Sequence, residues 1–235
     1  MEQPNRAADA AWTATWHDLV EGVVDTGACT GCAGCVLACP RHVLDLDETA
    51  WQPRLQPAAW GEGGDGRTCL HSARGCDLCA RACPRLERWE GDGDRAAFGR
   101  PRAAHEVLGV HRGIFLAAAT DPVIAGAGQD GGLASALLIY ALEHGYIDAA
   151  VVSAADPGQR PRALLAHNRA EVLAAAGSRY TYSSHVLAAA AAKGAARLGL
   201  VGVGCQVSIP HVARARGARR AARPFALTIG LLCTR

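Results

Sequence analysis

Cys29-Thr30-Gly31-Cys32-Ala33-Gly34-Cys35-Val36-Leu37-Ala38-Cys39-Pro40 is a Cys-x2-Cys-x2-Cys-x3-Cys-Pro run. This is the bacterial ferredoxin spacing for a 4Fe–4S cubane. Three closely spaced thiolates reach three irons of one cluster, and the fourth serves a second cluster in two-cluster proteins. A second run, Cys76-x2-Cys79-x3-Cys83-Pro84, lies downstream with Cys69 ahead of it. Crossing the fourth thiols assigns Cys29, Cys32, Cys35 and Cys83 to one cluster, and Cys76, Cys79, Cys39 and Cys69 to the other. Six residues separate Cys69 from Cys76, where two are usual; loop closure costs little more for a longer loop, so the thiol can still arrive. Pro40 and Pro84 end each ligand helix, and Gly31 and Gly34 let backbone amides approach the cluster sulfurs. His71, near the second set, reads as a loop histidine.

The rest of the composition narrows the class. The chain has 235 residues, half of them hydrophobic, with 24 Lys and Arg against 22 Asp and Glu. Such a balance does not suggest a nucleic-acid partner. The basic stretch Arg214-Ala215-Arg216-Gly217-Ala218-Arg219-Arg220 lacks interleaved aromatics and reads as a solvated helix end. No apolar run approaches the roughly 18 residues of a membrane span. The opening MEQPNRAADAAW has no secretory core, so a cytoplasmic chain is expected. Eight of the ten cysteines fall between Cys29 and Cys83. Without an export signal, such density points to metal rather than disulfides. Structural zinc is the alternative, although zinc sites favour two separated pairs of ligands.

The expected fold class is α+β: a two-cluster ferredoxin-like module followed by an α/β flavin-binding domain. Residues 1–28 form a lead-in, with a helix from Ala11 to Val20 that places Trp12, Trp16 and Leu19 on one side. Residues 29–84 form the cluster module, with a small hairpin between His42 and Leu55 and a flexible insertion at 61–66. Residues 85–110 are polar and read as a linker. From 111 the pattern alternates between strand and helix. Strands are expected at Gly113–Ala118, Ile147–Ser153, Ala163–His167, Leu198–Val203 and Phe225–Leu232. Helices are expected at Gly131–His144, Arg169–Ala176, Ser184–Leu198 (with Ser184 as N-cap) and Gln206–Arg216 around Pro210. Strands alternating with helices imply parallel pairing.

Gly126-Ala127-Gly128-Gln129-Asp130-Gly131 matches G-x-G-x-x-G, but no strand runs straight into it, as a dinucleotide fingerprint requires. What remains is a glycine turn, Asp130 as a cap, and a helix N-terminus suited to phosphate. Asp130-Gly131-Gly132-Leu133-Ala134-Ser135-Ala136-Leu137-Leu138 resembles the DGG-x-x-x-ALL segment of the coenzyme F420 hydrogenase/dehydrogenase beta-subunit family. Ala176-Gly177-Ser178-Arg179-Tyr180 resembles its G-S-K-Y element, with Arg for Lys. Val201-Gly202-Val203-Gly204-Cys205-Gln206-Val207 resembles its G-x-x-C-Q segment, and Ile229–Cys233 its following strand and cysteine. The Val201–Val207 string is also similar to 7-hydroxymethyl chlorophyll a reductase.

The resemblance implies a redox protein that carries FAD, takes coenzyme F420 as substrate, and passes electrons through 4Fe–4S clusters to a partner protein or subunit. It implies flavin contacts at Gln129, Asp130, Gly131, Gly132, Ser178, Arg179, Tyr180, Gly204 and Gln206, with Tyr180 and Tyr182 either covering the flavin ring or packing. It also implies that Cys205 and Cys233 ligate a third cluster, whose remaining Cys-x2-Cys pair lies beyond Arg235, so the sequence is expected to be incomplete. No protein nucleophile is required. Three alternatives stay open: a reductase of the same family acting on another substrate such as a tetrapyrrole, a non-catalytic electron carrier, and a structural zinc protein.

Overall fold

The computed structural model describes residues 12–156, 160–181, 183–192, 197–222 and 224–232. Helix α1 (Trp16–Leu19) continues into a π-helical turn, Val20–Val24. The Asp18 carboxylate fixes its start, accepting from the Thr15 amide at 2.7 Å and the Thr15 hydroxyl at 2.9 Å. The helix therefore begins five residues later than the expected Ala11, which lies outside the described residues. Trp16, Leu19, Val20 and Val23 are buried against Cys35, Cys39, Cys69, Cys79 and Cys83, so the lead-in forms a lid of apolar side chains on the thiols.

Helix α2 (Gly34–Ala38) begins after Ala33 in the left-handed region (φ 60°) and ends at the extended Cys39 before Pro40. Strands β1 (Leu44–Asp47) and β2 (Gln52–Leu55) pair antiparallel, with Leu44 opposite Leu55. The Asp47 carboxylate closes their turn, accepting from the Thr49 and Ala50 amides. Helix α3 (Leu78–Arg81) carries Cys79. Helix α4 (Glu90–Phe98) follows within the polar stretch expected to be linker. It is anchored by Asp94, which is buried and accepts from Arg102 Nε at 2.6 Å. Composition there signalled solvent exposure, which an amphipathic surface helix shares with a loop.

The second half opens on α5 (Pro122–Ala127), whose N-cap Asp121 accepts from the Val123 amide at 2.8 Å. Helix α6 (Leu133–Glu143) leads to β3 (Ala149–Ala155), and β4 (Pro161–Ala166) turns back beside it. Helix α7 (Arg169–Ala174) is capped by Asn168, whose side chain accepts from the Glu171 amide. After a 3-10 segment at His185–Ala191 come β5 (Leu198–Val203), α8 (Gly204–Ala215), α9 (Arg219–Ala222) and β6 (Phe225–Leu231). The sheet runs β4-β3-β5-β6. β3, β5 and β6 are parallel as expected. β4 is antiparallel to β3, because the five residues between them are far fewer than the dozen or so a parallel crossover needs. No described helix is long and apolar enough to cross a membrane.

Two further expectations are corrected. Gly113–Ala118 is not a strand; among the described residues it finds no ladder partner, and Ile114, Phe115 and Leu116 are exposed. An apolar run marks a strand only where an open sheet edge receives it. The Ala-rich segment after Ser184 is a 3-10 helix rather than a long α-helix. Ser184 does not cap it; its hydroxyl donates to the Gly31 carbonyl at 2.7 Å, across 153 positions of sequence.

That bond belongs to a seam joining the halves. Ala33, Ala38 and Ala82 share one core with Val186, Leu198, Ile209, Ala213 and Ala221. A Cβ placed on Gly34 would lie 2.9 Å from Ile209 Cγ1, and one on Gly31 2.8 Å from the Trp51 carbonyl oxygen. These two glycines therefore admit α8 and the hairpin turn, and the Gly34 amide hydrogen-bonds the Cys32 sulfur.

Candidate functional site

The eight cysteines of the first half separate into two sets. Cys32 lies within Coulomb reach of Cys83, Cys205 and Cys29, and Cys35 within reach of Cys32, Cys83, Cys79 and Cys29. Cys79 instead faces Cys76, Cys39 and Cys69. Cys83 thus lies near Cys29 and Cys32, and Cys39 near Cys76 and Cys79, while Cys35 also has Cys79 within reach. Cys39, Cys69, Cys76 and Cys79 line one small cavity, walled by Trp16, Val43, Leu44 and His71.

Burial pushes the Cys32 and Cys79 thiols up to about 12, and Cys35 well above its ordinary value. Thiols this dry are poor thiolates until a cation arrives, and binding one releases their protons. Among the described residues no group of three or more His, Cys, Asp or Glu side chains is placed to hold a single metal ion. Tetrahedral zinc would draw four sulfurs to roughly 3.8 Å from one another, at Zn–S bonds of about 2.3 Å. A cubane holds its thiolates on four separate irons and tolerates wider spacing. The donor chemistry, the apolar walls and the grouping in fours fit two cubanes better than zinc.

A second group of residues gathers where α6 and α8 begin. Gln129, Asp130 (φ 50°), Gly131 (φ 82°) and Gly132 (φ 66°) form the turn into α6. No side chain caps α6, so Asp130 is not the expected cap. Cβ atoms on Gly131 and Gly132 would strike Ala118 and the Ile124 carbonyl, so close packing of this turn accounts for both glycines. Gly204, the first residue of α8, differs: open space faces its missing Cβ, and no side chain caps that helix either.

The loop 178–184 bridges the two helix starts. Tyr180 Oη donates to Gln129 Oε1 at 3.4 Å, and Gln206 Nε2 donates to the Ser183 carbonyl. Ser178 and Tyr180 are exposed, while Gln206 is buried. Arg179 folds back on its own loop, donating to the Ala176 carbonyl at 3.2 Å. Two buried polar atoms here, Arg179 Nε and Gln206 Oε1, have no hydrogen-bond partner among the described residues. Unpaired buried polar groups are costly, and a ligand with a polar edge would satisfy them. The residues therefore fit a phosphate- and amide-bearing cofactor such as FAD. His185 beside this loop places Nδ1 2.8 Å from the Val201 carbonyl oxygen, and burial holds its pKa below the ordinary histidine value.

Cys205, in the first turn of α8, lies close enough to Cys32 to act on its charge. The α8 start is thus common to the glycine-rich region and the first cysteine set. Cys233 and Tyr182 lie outside the described residues. Arg216, expected as part of a solvated basic run, is instead half-buried and donates to the carbonyls of Cys83 and Glu87. Neighbouring Arg214, Arg219 and Arg220 are exposed as expected. Helical phase within the run was the available signal, since Val212 and Ala213 at the end of α8 are buried.

Residues 114–190 match the sequence profile described as coenzyme F420 hydrogenase/dehydrogenase, beta subunit N-term. Coenzyme F420 hydrogenase subunit beta of Methanothermobacter thermautotrophicus is 38% identical over 135 residues, covering 54% of this chain and 47% of that protein. Coenzyme F420-dependent sulfite reductase of Methanocaldococcus jannaschii is 28% identical over 190 residues, covering 79% of this chain and 25% of that protein. The chain thus spans about half or less of the length of these relatives. A chain in the solved F420-reducing NiFe hydrogenase complex of Methanosarcina barkeri is 34% identical at a TM-score of 0.46, covering 49% of this chain and 42% of that one. Over residues 114–190, the chain is similar to the N-terminal part of coenzyme F420 hydrogenase/dehydrogenase beta subunits.

Proposed function

We infer that the chain is an iron–sulfur flavoprotein oxidoreductase. It would move electrons between coenzyme F420 and one-electron carriers, in the company of a partner protein or subunit. Residues 29–84 would act as a two-cluster ferredoxin-like module and residues 111–235 as the flavin-bearing domain. The observation that supports this reading is that Cys83 lies near Cys29 and Cys32, and that Cys39, Cys69, Cys76 and Cys79 line a single apolar cavity.

Cys29, Cys32, Cys35 and Cys83 would hold one cubane, and Cys39, Cys69, Cys76 and Cys79 the other. When bound, FAD supplies the exchange of a hydride for two single electrons, and the protein supplies orientation and potential. The uncapped amides of α6 and α8 offer positive ends to phosphate. Gln206, tied to the Ser183 carbonyl, keeps its free oxygen for a ring or ribose donor. Tyr180, exposed and tethered to Gln129, is placed to cover a ring or to leave it. Trp16, Leu19 and Val23 keep water from the thiols, and the Ser184–Gly31 bond holds the two sites in register.

One observation favours a second reading, the non-catalytic electron carrier: Gly131 and Gly132 are explained by packing, and Arg179 turns onto its own loop instead of outward. Anaerobic purification separates the two. The first reading expects about eight irons per chain for two cubanes, flavin bands in the visible spectrum, and reduction by F420 in preference to nicotinamides. Iron and sulfide without flavin would leave only the carrier, and colourless protein would sink both.

A further inference from the structure

Arg216, the residue that ends α8, is a cation placed against the first cysteine set. Its Nη1 donates to the Cys83 carbonyl at 2.9 Å and its Nη2 to the Glu87 carbonyl at 2.8 Å. Its guanidinium lies 4.7 Å from the centre of the Trp12 ring, which shields it from water. Its own carbonyl accepts from Arg81 at 2.9 Å. Arg81 lies over the same ring at 5.8 Å, but its charge is answered by Asp77 at 2.6 Å. Arg216 gives its hydrogen bonds to neutral carbonyls, and its charge acts on Cys83, with the Glu87, Asp92 and Glu90 carboxylates as its acidic surroundings.

An iron–sulfur cluster gains one negative charge on reduction. A fixed cation beside it favours the reduced form, and net charge around the cluster is one of the protein's levers on its potential. Arginine suits this task, since it stays charged on partial burial where lysine or histidine loses its proton more readily.

We propose that Arg216 is a positioning residue that raises the reduction potential of the cluster held by Cys29, Cys32, Cys35 and Cys83, through a charge fixed by two carbonyls and roofed by Trp12. The inference rests on the proposal that these thiols bind a cubane. It goes beyond that proposal by ranking the two clusters: at one ligand the first set has an arginine with only more distant carboxylates around it and, among the described residues, no ion pair, while the arginine of α3 is paired with Asp77 at 2.6 Å.

The test uses the full chain, purified anaerobically with its clusters. Iron and sulfide are counted, and each cluster's midpoint potential is read by redox titration with electron paramagnetic resonance. Arg216→Gln keeps a donor and removes the charge, Arg216→Lys keeps the charge, and Arg81→Gln removes a charge already paired. A unit charge acting over about 10 Å at an effective dielectric near 20 shifts a one-electron equilibrium by roughly tenfold. Arg216→Gln should therefore lower the reduced-to-oxidised ratio of the first-set cluster about tenfold at fixed ambient potential, or about 59 mV. Arg216→Lys should stay near the parent, Arg81→Gln should move less, and the second-set cluster should move less than the first. A loaded Arg216→Gln chain with an unmoved potential overturns the assignment, as does Arg216→Lys shifting as far as Arg216→Gln. If Arg216→Gln sheds its first-set iron, Arg216→Lys decides: full iron at the parent potential supports the charge, and loss from both variants overturns it. A parent chain with flavin or F420 chemistry but no iron or sulfide fails at the underlying proposal, and this inference falls with it.

Discussion

Ile209 and Gly34 meet at the seam between the two halves, and a pair of substitutions there tests whether the halves are one cooperative unit. Ile209 is fully buried on α8. Ile209→Ala removes three carbons, worth about 2.4 kcal/mol at roughly 0.8 kcal/mol per methylene, plus a cavity term that brings such changes to about 2–5 kcal/mol. Gly34 has no side chain with which to fill the gap. Gly34→Ala in the parent places its Cβ 2.9 Å from Cγ1 and 3.0 Å from Cδ1 of Ile209, and 3.2 Å from the Ala82 carbonyl oxygen. Overpacking of that kind costs about 1–3 kcal/mol, offset by roughly 0.4–1 kcal/mol from a stiffer unfolded chain. In the double variant the new methyl enters the space left by the isoleucine. The double loss should fall short of the summed single losses by about 1–2 kcal/mol, as expected for residues in contact. The assay is urea unfolding of the anaerobic chain, followed by tryptophan fluorescence and by circular dichroism. All five tryptophans precede residue 90, so fluorescence reports the cysteine-bearing half alone. Ile209→Ala, in the other half, should lower the fluorescence midpoint together with the dichroism midpoint. Separate midpoints, or strictly additive losses, would refute the shared core.

Other consequences are as direct. Ser184→Ala leaves the buried Gly31 carbonyl without its donor and should cost about 1–3 kcal/mol, read as a lower urea midpoint by both probes. His185 and His211 are both held below the ordinary histidine pKa, chiefly by burial. A depressed histidine favours the neutral fold: its contribution is present above the unfolded value of about 6.5 and fades as pH falls below it. Stability should therefore decline from pH 7 to pH 5, with a shallower slope in His185→Asn; a flat profile would refute the burial argument. Cys39→Ser should abolish the cluster carried by Cys76 and Cys79 and leave about four irons of roughly eight. Damage confined to the cluster of Cys29 would show that the thiols are not crossed.

How much of this was visible beforehand depends on range along the chain. That the cysteines of both runs gather was legible from their spacing of two and three residues, and the fold brings Cys83 near Cys29 and Cys32, and Cys39 near Cys76 and Cys79. The hairpin, α6, α7, α8, β3, β5 and β6 were legible from periodicity and caps within a single element. The direction of β4 was not drawn from the short connection to β3, although that connection forbids a parallel return. Gly113–Ala118 was overcalled because apolar composition cannot say whether an edge waits nearby. The misread side chains all act over long separations. Ser184 bonds to Gly31, Gly34 accommodates Ile209, and Arg216 reaches Cys83; each local reading, cap or loop glycine or surface charge, was reasonable and was overridden by a tertiary partner. The candidate flavin residues were named from resemblance, and the loop 178–184 that links Gln129 to Gln206 came from the fold.

The proposed crossing of Cys39 and Cys83 would have a consequence for how such a module can be inherited. A break anywhere between Pro40 and Thr68 leaves one piece with three thiols of the first set and one of the second, and the other piece with the reverse. Neither fragment could assemble a complete site, though each retains an intact-looking motif. Two sites so shared would be interlaced like links of a chain, and recombination could move the whole span or nothing. A shuffled half would advertise a cluster in its sequence that it has no means to bind.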